Sequence, residues 1–277
     1  MSKPLLVIDG DSLAHRAYHA LPKTFRRAEG RPGNALLGFS NFLLRLWDSE
    51  QPRAVLVGWD SLEHPTYRHE LFAGYQAGRE FDDDLLDQLD LLPAVVRAFG
   101  FAAAKGAGYE ADDFLAAAVA QEEERGGTAV VATSDRDSFQ LASDRTTILQ
   151  PIRGVSELAR VGPPEVRERY GVEPEQVPDF IALRGDPSDR LPGAKGVGPK
   201  TAANLLAQYG TLEAMLEDGR FEAQAEELRM YRRMATLDAS APLPPLTDQT
   251  PNWAEASSFI RELGLNALAD RVAALGA

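Results

Sequence analysis

Leu5-Leu6-Val7-Ile8-Asp9 is the stretch on which the fold turns: four apolar residues in a row, closed by a carboxylate and followed by Gly10. An apolar run without alternation has both faces covered, as in a buried strand of a parallel sheet. The pattern returns in Ala54 to Asp60 (AVLVGWD) and Ala129 to Asp135 (AVVATSD), each again ending in aspartate. Between these runs lie helix-like stretches at Leu13 to Ala20, Ala35 to Trp47, Leu85 to Phe99 and Ala111 to Arg125. Strands alternating with helices predict an α/β fold with a mostly parallel central sheet flanked by helices. Ligands of such sheets bind outside the carboxyl ends of the strands, which is where Asp9, Asp60 and Asp135 are expected.

Outward from these strands the pattern changes. His64 to Asp84 mixes aromatics, glycine and charge with weak periodicity, and reads as a long irregular excursion of the functional or mobile kind. Thr147 to Ile152 gives a last strand signal, and from Pro163 the pattern is helical apart from a proline-rich connection at Ala241 to Pro251. The expected organisation is an α/β core over residues 1–161 and a helical region over 162–277, packed on the sheet.

With 277 residues and 44% hydrophobic content, the chain can bury a sizeable core. No apolar stretch approaches the roughly 18 residues of a membrane span, and MSKPLLVIDG lacks a secretory pattern, so a cytoplasmic protein without membrane attachment is expected. The absence of cysteine excludes disulfides, thiolate nucleophiles and Cys-based zinc sites, leaving oxygen and the imidazoles of His15, His19, His64 and His69 for any metal. The net charge of −13 argues against a polyanionic partner until its distribution is considered. Residues 80–150 carry 5 Lys+Arg against 15 Asp+Glu, whereas residues 1–79 carry 10 against 8.

Nine acids give this concentration a chemical sense: Asp9, Asp60, Glu110, Asp112, Asp113, Asp135, Asp137, Asp186 and Asp189. Singly, an Asp after a strand is often a helix N-cap or an Asx-turn former. Jointly, three strand ends, a helix opening (Glu110-Ala-Asp112-Asp113) and two loop pairs point at one crevice. So many carboxylates repel one another and take up protons unless cations bind. Oxygen ligands select Mg²⁺ or Mn²⁺, and two such ions support in-line phosphodiester displacement. Asp82-Asp83-Asp84, by contrast, precedes a helical pattern and reads as helix N-terminal charge. Phe39, Leu43 and Trp47 share helical spacing and read as core. Arg26, Arg27 and Arg31 suit phosphate contact and solvated loop positions equally.

Gly193-Ala-Lys195-Gly196-Val197-Gly198-Pro199-Lys200-Thr201 holds two of the five lysines. Pro199 breaks the match to a nucleotide P-loop, and no strand precedes it. The segment reads as a tight turn between two helices, either a plain connection or one whose amides and helix N-terminus meet a phosphate. The two lysines favour the latter.

Val7-Ile8-Asp9-Gly10, Trp59-Asp60, Tyr67-Arg68-His69-Glu70, Tyr75-Gln76-Ala77-Gly78-Arg79, Gly108-Tyr109-Glu110-Ala111-Asp112-Asp113, Ser134-Asp135-Arg136-Asp137, Gly185-Asp186-Pro187-Ser188-Asp189 and Gly193 to Thr201 together resemble the 5′ nuclease (flap endonuclease) family. The likeness extends over nearly the whole chain and is to the 5′-3′ exonuclease domain of bacterial DNA polymerase I and its stand-alone relatives, and a stand-alone nuclease is expected. It implies a PIN-like core, a helical arch at about 64–92 and a helix–hairpin–helix-type DNA clamp at about 185–209. It further implies two-metal hydrolysis of DNA at a 5′ end, nick or flap, in replication and repair, by a monomer whose substrates extend to the RNA of RNA–DNA hybrids. Asp9, Asp60, Glu110, Asp112 and Asp135 are assigned to the first metal, Asp137, Asp186 and Asp189 to the second, and Asp113 to a place one step removed. Arg68, Gln76 and Arg79 are the candidate catalytic cations and polar groups. His15, Arg16, Tyr18 and Tyr75 are expected to face DNA, as are Lys195, Gly196, Gly198, Lys200 and Thr201, with K⁺ a further candidate for the glycine-rich turn.

This chain departs from the family pattern at three places. Gln76 stands where lysine is usual, Arg190 where asparagine is frequent, and His15 where an aromatic that stacks on a base is expected, with Tyr18 nearby. The readings left beside the nuclease are a DNA clamp that has lost turnover and a metal-dependent RNase.

Overall fold

The computed structural model of the chain describes residues 3–61, 64–72, 74–76, 81–153 and 157–277. Six strands form one sheet: β1 (Leu5–Asp9), β2 (Ala54–Trp59), β3 (Ala102–Lys105), β4 (Ala129–Ala132), β5 (Thr146–Arg153) and β6 (Glu157–Val161). Their order is β3-β2-β1-β4-β5-β6, with β6 antiparallel to β5 and every other pairing parallel. The chain leaves β1 towards one edge and reaches β4 on the other side of it. The carboxyl end of β1 therefore lies at the topological switch point where a crevice opens.

Thirteen helices stand among the described residues: α1 (Gly10–Ala20), α2 (Asn34–Glu50), α3 (Tyr67–Leu71), α4 (Asp83–Leu89), α5 (Leu92–Ala98), α6 (Ala111–Glu124), α7 (Pro163–Tyr170), α8 (Val177–Arg184), α9 (Pro199–Tyr209), α10 (Leu212–Glu217), α11 (Ala225–Ala235), α12 (Trp253–Glu262) and α13 (Asn266–Ala274). The apolar runs of the central strands bury both faces. Leu5, Val7, Ala54, Leu56 and Val131 pack with Phe114 and Leu115 of α6, Ile181 of α8 and Met234 of α11. Leu6, Ile8, Val55, Val57 and Val130 pack with Leu13 of α1, Phe39 of α2, Val96 of α5 and Val272 of α13. One continuous core thus crosses residue 161, and α12 and α13 return to the layer opposite that of α7 to α11.

The helix expected over Leu85 to Phe99 is two helices. Pro93 has no amide to donate and is accommodated only in the first turn of α5, so the chain breaks at Asp90 and Leu91. Strand β3 was not legible, since Ala102-Ala103-Ala104 lacks the branched and aromatic residues that mark a strand. Nor was the half-exposed edge strand β6. The stretch taken to 64–92 as an arch divides as well: Leu85 and Leu89 of α4 are buried in the core with α1 and α2, so residues from Asp83 onward belong to the helical layer. Asp82 caps α4 by accepting from the Asp84 amide, as helix N-terminal charge should. Arg27 and Arg31 both pair with Asp87, and Phe39 is core.

Candidate metal centre

At the carboxyl ends of β1, β2 and β4 a cleft of about 520 Å³ is lined by Asp9, Asp60, Glu110, Asp112, Asp135, Asp137 and Asp189. Local chemistry places each of them. Asp9 ends β1 and caps α1, its Oδ1 accepting from the Ser12 amide at 2.9 Å and its Oδ2 from the Thr133 hydroxyl at 2.7 Å. Asp60 follows β2, and its Oδ1 accepts from the Ala111 amide at 2.8 Å, tying it to the start of α6. That approach depends on Gly58, where a Cβ would lie 2.6 Å from the Ala111 carbonyl oxygen. Strand β4 stops at Ala132, so Asp135 sits in a loop beyond a strand end, and it accepts from the Asp137 amide at 2.9 Å. Asp186, buried beside the cleft, accepts from the amide and hydroxyl of Ser188. Gly185 and Gly193 make that loop possible. Both have φ in the left-handed region, and a Cβ on Gly193 would fall 2.4 Å from the Gly185 nitrogen.

Burial, then the charge of Asp60, pushes the Asp9 carboxyl up to about 7 against the opposing bonds from Ser12 and Thr133. Burial likewise raises Asp112 and Asp137 well above the carboxylate range, with neighbouring carboxylates adding to it. Asp112 Oδ1 is buried, has no hydrogen-bond partner among the described residues, and lies 3.5 Å from the Arg68 guanidinium, a contact of charge alone that leaves acceptor capacity for a cation. No three acidic or imidazole groups among the described residues close tightly enough to form a ligand set by themselves. The donors surround a volume, which suits a hard cation that keeps part of its water shell. The residues present therefore fit divalent, oxygen-preferring ions.

Several residues expected at the reacting centre are turned inward. The Arg68 guanidinium, 2% exposed, makes a paired fork to Asp113 at 3.0 and 2.9 Å and donates to the Met234 carbonyl at 3.0 Å. Asp113 also accepts from the amides of Glu110 and Asp238 and is fully buried. Its oxygens accept from Arg68 and two backbone amides, so Asp113 anchors α3, α6 and α11 to one another. Arg68, at 3.4 Å from Glu110 and 3.5 Å from Asp112, orients those acids. Tyr75, 4% exposed, donates to Glu110 Oε2 at 2.8 Å and accepts from Gln76 Nε2 at 2.7 Å, while Thr66 donates to Glu110 Oε1 at 2.8 Å. Tyr75 thus positions Glu110, with Gln76 behind it at the cleft wall. Arg79 lies outside the described residues.

Of the expected DNA-facing residues, His15 lines the cleft with its ring 5.3 Å from that of Phe81. Tyr18 is 3% exposed in the core, with Lys23 over its ring, and so is not offered for stacking. Arg16 is half-buried on α1. Lys195, Gly196, Gly198, Lys200 and Thr201 form an exposed turn into α9, apart from the residues lining the cleft. Sequence reading missed Asp11, which lines the cleft, accepts from the Asp60 amide at 2.7 Å, and is raised by burial and by Asp60. Its place two residues beyond Asp9 was the available signal. It also missed the Ser12–Ser134 hydroxyl contact at 2.7 Å that joins α1 to the loop after β4.

The family described as the 5′-3′ exonuclease, N-terminal resolvase-like domain matches residues 4–171, and the 5′-3′ exonuclease, C-terminal SAM fold matches residues 172–255. DNA polymerase I of Mycobacterium bovis is 43% identical over 220 residues, covering 78% of this chain and 24% of the relative. That of Bacillus caldotenax is 39% identical over 241 residues, 86% of this chain and 27% of the relative. The chain thus spans about a quarter of the length of these relatives. A bacteriophage T5 flap endonuclease, solved with DNA and metal ions, superposes with a TM-score of 0.70 at 18% identity, covering 97% of each chain. The catalytic core of Rad2 with a DNA substrate gives 0.62 at 15%, covering 98% of this chain and 91% of that one.

Proposed function

This chain belongs to the 5′-3′ exonuclease family, and on that premise we propose that it hydrolyses DNA phosphodiesters at 5′ ends and flap junctions with divalent metal ions. The observation that carries the reading is the convergence of eight acids, from two strand ends, the starts of two helices and two loops, on one cleft at the sheet's switch point. Mg²⁺ or Mn²⁺ ions bound there would ionise a water and offset charge on the phosphate and leaving oxygen. Asp9, Asp60, Glu110, Asp112 and Asp135 would hold one ion, with Asp137, Asp186 and Asp189 holding the other.

The chain's own groups supply position. Arg68, Thr66 and Tyr75 fix Glu110 and Asp112, so the acids need not reorganise when substrate arrives. His15 and Phe81 offer ring surface at the cleft for the base beside the scissile bond. The exposed Lys195 and Lys200 flank backbone amides at the start of α9, a helix–hairpin–helix-type arrangement suited to grip a duplex phosphate without reading sequence. Carbonyls of the same turn are the candidate K⁺ ligands.

A 5′-flap duplex and a matched single-stranded RNA, each incubated with the protein in Mg²⁺ and in Mn²⁺, test the reading. Cleavage near the flap junction, abolished by EDTA, is expected. No cleavage with either ion would leave a DNA clamp, and preference for the RNA would make the protein a ribonuclease.

A further inference from the structure

Arg184 is the last residue of α8, where outgoing carbonyls favour a cation, and directly precedes the Gly185-Asp186 loop. Its guanidinium stands 5.3 Å from the Phe180 ring centroid and 5.7 Å from that of Tyr170, and those two rings stack on each other at 4.9 Å. The Nη2 group lies 3.7 Å from Asp186 Oδ2. The Nε–H is buried without an acceptor among the described residues. The side chain is therefore held by ring faces and by charge, with no full set of hydrogen bonds to fix it.

We infer that Arg184 is a built-in counter-cation for Asp186, a positioning residue that lowers the affinity of this acid and of the site it belongs to for a divalent ion. The inference rests on the proposed metal centre. Two effects act in the same direction. Before an ion binds, the guanidinium offsets the charge of Asp186 and so stabilises the ion-free protein. With an ion bound, its charge repels the ion across a partly buried space where screening is weak. The second ion is then held loosely until an anionic phosphate enters and adds attraction, which ties full assembly of the site to substrate.

Calorimetric titration of the DNA-free full chain with Mn²⁺ tests this directly, because it reads binding and not activity. Arg184→Met and Arg184→Gln remove the charge, the second retaining polarity should the first fold poorly, and Arg184→Lys preserves it. One fixed charge beside a carboxylate changes occupancy by about tenfold. The charge-removing variants should bind Mn²⁺ about tenfold more tightly, Arg184→Lys should stay near wild type, and adding Asp186→Asn should abolish the gain. Unchanged or weaker binding in both charge-removing variants overturns the role of Arg184 alone, as does tightening in Arg184→Lys. Absence of Mn²⁺ binding in wild type and variants alike overturns the metal centre, and this inference with it.

Discussion

Replacing Asp9 by asparagine should stabilise the ion-free protein at alkaline pH while abolishing its response to divalent ions. Asp9 is 6% exposed, and its carboxyl is pushed from the ordinary 3.8 up to about 7, first by burial and then by Asp60. The folded state therefore holds this proton more tightly than the unfolded chain. From about pH 4 to pH 7 unfolding releases the proton, so stability falls as pH rises through that window and the full cost is present above it. A change from 3.8 to about 7 corresponds to about 4 kcal/mol at ~1.4 kcal/mol per tenfold change. Relaxation of an open cleft reduces this to about 2–4 kcal/mol. Asparagine keeps an oxygen for the Ser12 amide, so the α1 cap survives. Urea unfolding in EDTA at pH 5 and pH 8 gives the measurement, repeated with Mn²⁺. Wild type should be less stable at pH 8 than at pH 5 without ions and should recover with Mn²⁺, while Asp9→Asn should lose most of both dependences. The reasoning is falsified if Asp9→Asn destabilises the ion-free protein at pH 8.

Arg68→Met should cost about 3–5 kcal/mol by leaving Asp113 buried and unpaired; an unfolding free energy from urea titration within about 1 kcal/mol of wild type would refute the anchoring role. Gln76→Lys should raise the single-turnover rate on a 5′-flap substrate several-fold by restoring a cation at the cleft wall, and a fall in rate would show that the Gln76–Tyr75–Glu110 chain matters more. Combined Lys195→Ala and Lys200→Ala should weaken duplex binding and reduce the slope of log affinity against log salt by about 2. An unchanged slope, measured by fluorescence anisotropy across salt concentrations, would take the turn off the duplex.

What the linear order of residues determines here is what local chemistry can carry. Uninterrupted apolar runs at Leu5, Ala54 and Ala129 could only be buried strands, and carboxylates just beyond them had to lie where such sheets open. The pairing of Lys195 and Lys200 with glycines also marked an exposed turn. Tertiary structure decided which acids remain available. Asp113 looks in sequence like its neighbour Asp112, yet one is hydrogen-bonded to Arg68 and two backbone amides while the other has an oxygen without a hydrogen bond on the cleft wall. Arg68 is expected as a catalytic group and Tyr75 and Tyr18 as groups facing DNA, yet all three are buried, Arg68 and Tyr75 against the acids at the start of α6 and Tyr18 in the α1–α2 layer. Burial and long-range partners fix the charge and reach of a side chain. Both depend on which segments pack together, and neither is encoded in a residue's immediate neighbours.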